Sequence, residues 1–174
     1  MNNSNIKLVA ILLLVILSGV SCTAKQNYVD YIIGFSTHEG NKIWVQEAIF
    51  DDSWSTPAGS LGCCWEEPKA ASPVRRASLP DKIYIQWLDV KKNLVYKKEV
   101  KLQPQYGELA LNLPEYTVKS SGRVVQPKIY LIIGMGKTGE VVVWLSNATS
   151  WRNKTGRVLH IIGQGQAVSE PWVK

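Results

Sequence analysis

Residues 128–146 read KIYLIIGMGKTGEVVVWLS, and the fold prediction starts from them. Two apolar, β-branched runs, 129–133 and 141–145, flank a glycine-rich connection, and each run is about as long as a strand. Glycine supplies the backbone angles of a tight reversal. The stretch therefore predicts a β-hairpin. Because both faces of each run are apolar, we expect its strands to be central and covered on both sides.

The connection also contains Gly136, Lys137 and Thr138, which match the end of a phosphate-binding loop. That motif needs another glycine five positions before Gly136, where Leu131 stands, and a helix directly after it. A strand pattern follows instead. We therefore interpret the segment as a turn that carries a solvated lysine.

Alternating apolar and polar residues predict further strands at 28–36, 42–50, 82–89, 94–102, 108–113 and 157–167. The short connection between the first two predicts a hairpin. Within 42–50, the alternation predicts Ile43, Val45 and Ile49 on one face and Trp44, Ala48 and Phe50 on the other.

Two segments lack this alternation. Residues 51–79 are predicted to be irregular, and residues 114–127 are predicted to be a loop with room for one helical turn. The chain of 174 residues is long enough for one domain with a sizeable core. We predict an all-β, antiparallel β-sandwich in a single domain over 28–174.

The N-terminal residues have the pattern of an export signal. Residues 8–17 are an unbroken apolar run, too short to span a membrane comfortably but typical of a signal peptide over 1–21. Small residues before Cys22 resemble a bacterial lipobox, although Gly19 stands where leucine is usual. We predict lipid attachment at Cys22 and a tether over 22–27; the alternative is an ordinary signal-peptide cysteine. Thr23 is not the aspartate typical of inner-membrane retention, which favours the outer membrane, facing the periplasm.

The chain is basic, with a formal charge of +6 that falls by one when Lys7 leaves with the signal peptide. Because we place this basic chain outside the cytoplasm, we predict no nucleic-acid partner. The excess charge is a solvated face or attracts anionic headgroups or an acidic protein, since net charge governs association more than a specific site.

Cys63 and Cys64 are the thiols left once Cys22 is lipidated. In an oxidising compartment they pair with each other in a strained ring, remain free, or bridge to another chain. A metal site needs further ligands at recognisable spacing, which His38 and His160 do not provide, so we predict no metal and no cofactor.

We find no arrangement typical of an enzyme. A nucleophile elbow needs Gly-x-Ser-x-Gly, and the nearest piece, residues 59–62, has the wrong spacing. Nothing in the sequence brings either histidine to a cysteine. His160, in an apolar run, is predicted to be a packed core or edge residue rather than a catalyst. We therefore expect a non-enzymatic protein, although active sites assemble from distant residues.

Residues 51–79 are longer than most loops in compact domains, and such loops are often functional. Tight interfaces centre on Trp, Tyr and Arg. We therefore predict partner contacts at Trp54, Trp65, Arg75 and Arg76. The alternative for both tryptophans is that they cap the core, because tryptophan is highly buried on average.

A family resemblance rests on strand and turn patterns in residues 79–80, 83–87, 95–96, 102, 132–136, 139–145 and 162–167. Through these patterns, most of the chain after the signal peptide resembles a family of bacterial lipoproteins of unknown function, domain of unknown function 2931. The turn usual in the family resembles Pro-Gly-Gly, whereas this chain has Gly-Lys-Thr-Gly. A related family of periplasmic lipoproteins is similar around Cys63 and Cys64.

Some members of these families resemble immunity proteins encoded beside lipase effectors of the type VI secretion system. The resemblance implies a periplasmic protein that blocks such a toxin by direct binding, and it assigns no contact residue. Two other hypotheses remain: a structural lipoprotein that binds another component of the envelope, and a redox or hydrolytic enzyme that uses Cys63 and Cys64.

Overall fold

The computed structural model of the protein describes residues 28–56, 58–68 and 70–173. The predicted signal peptide, the tether and Cys22 lie outside these residues. The described residues form short strands and a short helix, α1. Their bounds are β1 Val29–Thr37, β2 Ile43–Phe50, β3 Trp54–Ser55, β4 Gly59–Leu61, β5 Ala70–Ala77, β6 Lys82–Asp89, β7 Leu94–Lys101, α1 Tyr106–Leu111, β8 Tyr116–Val118, β9 Arg123–Val125, β10 Ile129–Met135, β11 Glu140–Ser146, β12 Lys154–Thr155, β13 Leu159–Gln166 and β14 Val168–Pro171.

Two sheets pack face to face, which confirms the predicted all-β sandwich. The first sheet has the order β13-β11-β10-β1-β5, and the second has the order β14-β7-β6-β2-β3, with β4 also paired to β2. A small third sheet joins β12, β8 and β9. Most described pairs are antiparallel, but β1 runs parallel to β10. No helix within the described residues is long and apolar enough to cross a membrane.

The core lies between the two large sheets. Ile33 and Phe35 of β1 and Ile85 and Trp87 of β6 are each 0% exposed. Fully burying one such side chain contributes about 1.5–3 kcal/mol. The apolar residues of these two strands belong to one core between the sheets and hold the sandwich together.

The central hairpin is confirmed. Strands β10 and β11 pair from Tyr130 and Ser146 to Met135 and Val141. The turn between them closes with the Gly136 N–H donating to the Glu140 carbonyl at 2.7 Å. Strand β11 follows where a phosphate-binding loop would need a helix. Both faces of β10 are covered, since the consecutive residues 131–133 are all 0% exposed.

The predicted hairpin between the first two strands is wrong, because β1 and β2 belong to different sheets. The end of β1 is held elsewhere: the Thr37 N–H donates to the Cys63 carbonyl at 3.3 Å, and its hydroxyl donates to the Met135 carbonyl at 2.7 Å. The short connection therefore carries the chain from one sheet to the other.

The predicted faces of β2 are also wrong after Val45. The pairing of β2 with β6 shifts register between Val45 and Glu47, which marks a β-bulge. An extra residue reverses the alternation beyond it. Ala48 and Phe50 consequently join Ile43 and Val45 in the core.

Residues 108–113, predicted as a strand, lie largely in helix α1. Tyr106 and Ala110, four positions apart, are its buried residues, a spacing that places them on one helical face. The Tyr106 hydroxyl donates to the Pro80 carbonyl at 2.6 Å and fixes the helix against the chain before β6. The predicted loop at 114–127 contains the hairpin of β8 and β9 instead.

Residues 51–79, predicted to be irregular, contain β3, β4 and β5. The two short strands extend the second sheet through β2, and β5 forms an edge of the first. The predicted last strand ends at Gln166, and β14 follows it to pair with β7. The chain thereby crosses from the first sheet to the second a final time.

Candidate partner-binding site

A flap, residues 62–68, leaves β4 and lies against the outer face of the first sheet. At its start the Gly40 N–H donates to the Gly62 carbonyl at 3.0 Å, next to the bond from Thr37 to Cys63. These bonds fasten the flap to the connection between β1 and β2. The outer side of the sheet is thereby covered by chain that belongs to neither sheet.

Trp65 is the aromatic anchor of the flap. Its ring stacks on His38, with centroids 4.1 Å apart, and meets the edge of Trp144 at 5.0 Å. Gly134 makes room for both indoles: a Cβ at that position would lie 2.5 Å from Trp144 and 2.9 Å from Trp65. Trp65 is half-buried, so part of its ring is exposed to solvent. The contacts with His38 and Trp144 fix the position of this exposed aromatic surface.

Polar bonds hold the far end of the flap. The Glu66 carbonyl accepts from Arg157 Nη2 at 2.6 Å. Glu67 Oε1 accepts from the Ser150 hydroxyl at 2.9 Å and from the Trp151 N–H at 3.0 Å. Together with the stacked Trp65, these bonds fix the flap at both ends.

The surroundings of the far end of the flap change the pKa values of two charged groups there. Partial burial acts to raise the pKa of Glu67, but the bonds from Trp151 and Ser150 outweigh it and hold that pKa below its ordinary value. Burial lowers the pKa of Arg157, whose guanidinium lies 4.7 Å from the Trp151 ring centre. Removing either charged group would therefore loosen the flap rather than merely change the surface.

Cys63 and Cys64 form a disulfide with each other at the start of the flap. Cys64 and Glu66 have positive φ angles of 78° and 65°, uncommon for side chains of this kind. The Glu39 carboxylate and the two sulfur atoms lie within 4.8 Å of one another. Because the sulfurs are bonded together, neither is a thiolate that would bind a metal in this state.

The structure separates the four residues predicted to contact a partner. Trp54 lies in β3 and stacks on Phe50 at 4.3 Å, against the core. Arg75 and Arg76 are exposed on β5, where the Arg76 N–H donates to Asp30 at 2.9 Å. Trp65 instead stacks on the residue that follows β1.

The length of β1 determines the distance between Trp65 and the two arginines. Asp30 and His38 are eight positions apart, which is about 26 Å along an extended strand. A single compact patch therefore does not join Trp65 to the two arginines. Beside Arg75 is a separate cleft of about 370 Å³, whose lining includes Asp30, Ile32, Pro73 and Lys128.

Three turns meet at the end of the sandwich where β1 stops, and we call this the turn end. They are residues 38–42, 90–93 and 136–139, and they surround a cleft of about 220 Å³. The flap joins the turn end through the bond between Gly40 and Gly62. An aromatic surface and a group of lysines therefore lie side by side.

The histidines occupy different settings. His38 reaches the flap, but its contact there is the stacked Trp65. His160 is exposed on β13, at an edge of the first sheet, in agreement with the predicted edge position. The sequence did not predict the contacts of Arg157 and Glu67. Each contact joins residues more than 80 positions apart, and such pairs leave no local sequence pattern.

The chain belongs to the family described as protein of unknown function (DUF2931), which matches residues 19–169. The match covers the flap, the turn end and both large sheets as far as Ser169 in β14. No curated protein and no solved structure matches the chain.

Proposed function

Starting from membership of a family without an assigned function, we propose that this protein binds and neutralises a secreted lipase-type effector of the type VI secretion system as its immunity protein. It is anchored through a lipid on Cys22 to the outer membrane and faces the periplasm, where an incoming phospholipase acts. Its inhibition is by direct contact.

The observation that carries the proposal is the fixed aromatic surface of the flap. Trp65 is held by His38 and Trp144, so little side-chain freedom is lost when a partner covers it. Tryptophan is the residue most often found at interface hot spots. A standard interface buries roughly 1,600 Å² in total, which a domain of this size supplies.

The test begins with the neighbouring gene, which the proposal expects to encode a secreted lipase, and continues with periplasmic co-expression of that lipase and a binding measurement on the purified pair. We expect the protein to rescue growth and to bind the lipase directly. Unchanged killing together with absent binding would refute the proposal. Recovery of a structural envelope component by cross-linking would favour the envelope-lipoprotein alternative.

A matched pair of variants locates the contact. Trp65→Ala removes the aromatic anchor, and we expect it to weaken binding by about 2 kcal/mol or more, the usual hot-spot range. Tyr28→Ala is the control, because Tyr28 is 66% exposed and precedes β1, at the end of that strand opposite to His38 and the flap. Equal losses in both variants would argue against the flap as the contact.

A further inference from the structure

The turn end carries an excess of exposed positive charge. Lys42, Lys91, Lys92 and Lys137 are exposed there. Asp89, the buried carboxylate of the cleft, is 3% exposed and already accepts from the backbone N–H groups of Lys91 and Lys92, each at 3.0 Å. The Asp89 carboxylate is therefore hydrogen-bonded within the protein and is not accessible to a partner.

The other nearby carboxylates do not cancel the lysines. Glu140 is half-buried, and its Oε2 accepts from the Thr138 N–H at 2.8 Å within the same turn. Glu39 is exposed. In the flap, Glu67 is directed to Ser150 and Trp151 rather than to the lysines. The exposed lysines thus outnumber the exposed carboxylates around the cleft.

The three turns are linked to one another, so the lysines sit on a joined surface. Lys92 Nζ donates to the Lys137 carbonyl, and Lys91 Nζ donates to the Gly40 carbonyl at 3.4 Å. The adjoining flap supplies Trp65. An aromatic centre with a charged rim is the usual composition of a protein interface.

We propose that the turn end is the docking surface for an acidic face of the protein partner, with the lysines steering and orienting it and Trp65 at its centre. This inference rests on the proposed function and specifies where that contact forms. Complementary charge acts mainly on the rate and specificity of association.

The position of the tether favours a protein over the lipid surface. The chain enters β1 from Tyr28, and β1 then runs for nine residues to the turn end. Nine residues of extended strand span about 30 Å. At physiological salt, electrostatic attraction is largely screened beyond about 8 Å. With the lipid on Cys22, the lysines lie at the end of the domain farther from the anchor.

The test compares two triple variants with the same change in net charge. Lys42→Glu, Lys91→Glu and Lys137→Glu reverse the turn end, and Lys92 is left intact because it is paired with Asp89 at 3.3 Å. Lys101→Glu, Lys119→Glu and Lys128→Glu are the control, since these lysines are exposed and lie away from the turn end. The probe is the lipase encoded by the neighbouring gene, and circular dichroism checks that both variants fold.

We expect the turn-end variant to associate with the lipase roughly tenfold or more slowly and to lose most of the salt dependence, while the control stays within about threefold of the unmodified protein. If the unmodified protein binds and both variants bind equally well, the turn end is not the docking surface, although the proposed function stands. If the unmodified protein does not bind the lipase, the proposed function fails, and this inference fails with it. Binding to phosphatidylglycerol vesicles that only the turn-end variant loses, with lipase binding unaffected, would assign the surface to lipid and overturn the inference.

Discussion

At the scale of single residues, Gly134 is the position most sensitive to added volume on the outer face of the first sheet. Gly134→Ala would place a Cβ 2.5 Å from Trp144 and 2.9 Å from Trp65, so both indoles must shift. Crowding of this kind costs about 1–3 kcal/mol. We expect chemical denaturation to show a free energy of unfolding lower by that amount, with a change in tryptophan fluorescence.

Gly62→Ala is the matched control for that substitution. Gly62 begins the flap, and a Cβ there meets no atom within 4 Å. We expect a change within about 0.5 kcal/mol, as at other unobstructed surface positions. If both alanine variants unfold alike, the close approach of the two indoles to Gly134 is not what stabilises the flap.

Glu67 makes the anchorage of the flap dependent on pH. Its pKa in the folded protein lies below the ordinary value of 4.5, because hydrogen bonds to the carboxylate outweigh partial burial. A group with a lowered folded pKa contributes stability above its unfolded pKa and loses it as the pH falls through the folded value. We therefore expect the protection factor of the Trp151 amide, which is its intrinsic exchange rate at each pH divided by the measured rate, to fall as the pH is lowered below about 4.5.

Glu67→Gln separates this titration from general acid effects. The amide keeps an oxygen acceptor for Ser150 and Trp151 but does not titrate. We expect the protection factor of the Trp151 amide to become nearly independent of pH over the same range. If the variant and the unmodified protein responded equally to acid, the response would come from groups other than Glu67.

At the scale of elements, sequence patterns succeeded where both alternation and turn chemistry were local. The hairpin of β10 and β11 has two apolar runs and a glycine-rich turn within 19 residues, and the structure has the same hairpin. The pattern failed for α1, since a six-residue helix offers only Tyr106 and Ala110 as its buried spacing. It also failed for β2, because a bulge changes the face without changing the composition.

The disulfide of Cys63 and Cys64 acts on the flap rather than on the whole sandwich. The stabilisation from a disulfide grows with the length of chain it closes, and these residues are adjacent. We expect reductant to change the free energy of unfolding by less than about 1.5 kcal/mol while amide exchange in the flap accelerates. Chemical denaturation and hydrogen exchange with and without reductant measure the two effects.

The double variant Cys63→Ser, Cys64→Ser is the control for that experiment, since reductant has no disulfide to act on in it. Mass measurement after alkylation counts the free thiols of the purified domain. Two alkylated cysteines without reductant would show that the pair is not oxidised in solution. A loss of the whole fold on reduction would show that the bond supports more than the flap.

At the scale of the whole molecule, the candidate site depends on contacts that no sequence window contains. Trp65 was predicted as a contact residue from its place in a long segment, but its stacking on His38 and its approach to Gly134 follow from the way β1, β10 and the flap meet. The turn end likewise joins three turns spread over about a hundred positions. The composition shows that the chain has an excess of positive charge. It does not show that the fold brings several lysines together at the turn end.

The proposed lipid anchor makes the orientation of the molecule depend on Cys22, and the variant Cys22→Ser tests that proposal. We expect the variant to leave the outer-membrane fraction, to incorporate no labelled palmitate, and to keep its melting temperature, because the sandwich begins at Val29. Acyl chains contribute about 0.8 kcal/mol per buried methylene, so their loss releases the protein. Affinity for the lipase in solution should be unchanged, since the turn end lies at the opposite end of β1. A variant that still incorporates palmitate would place the lipid on another residue, and the turn end would then have no fixed direction relative to the membrane.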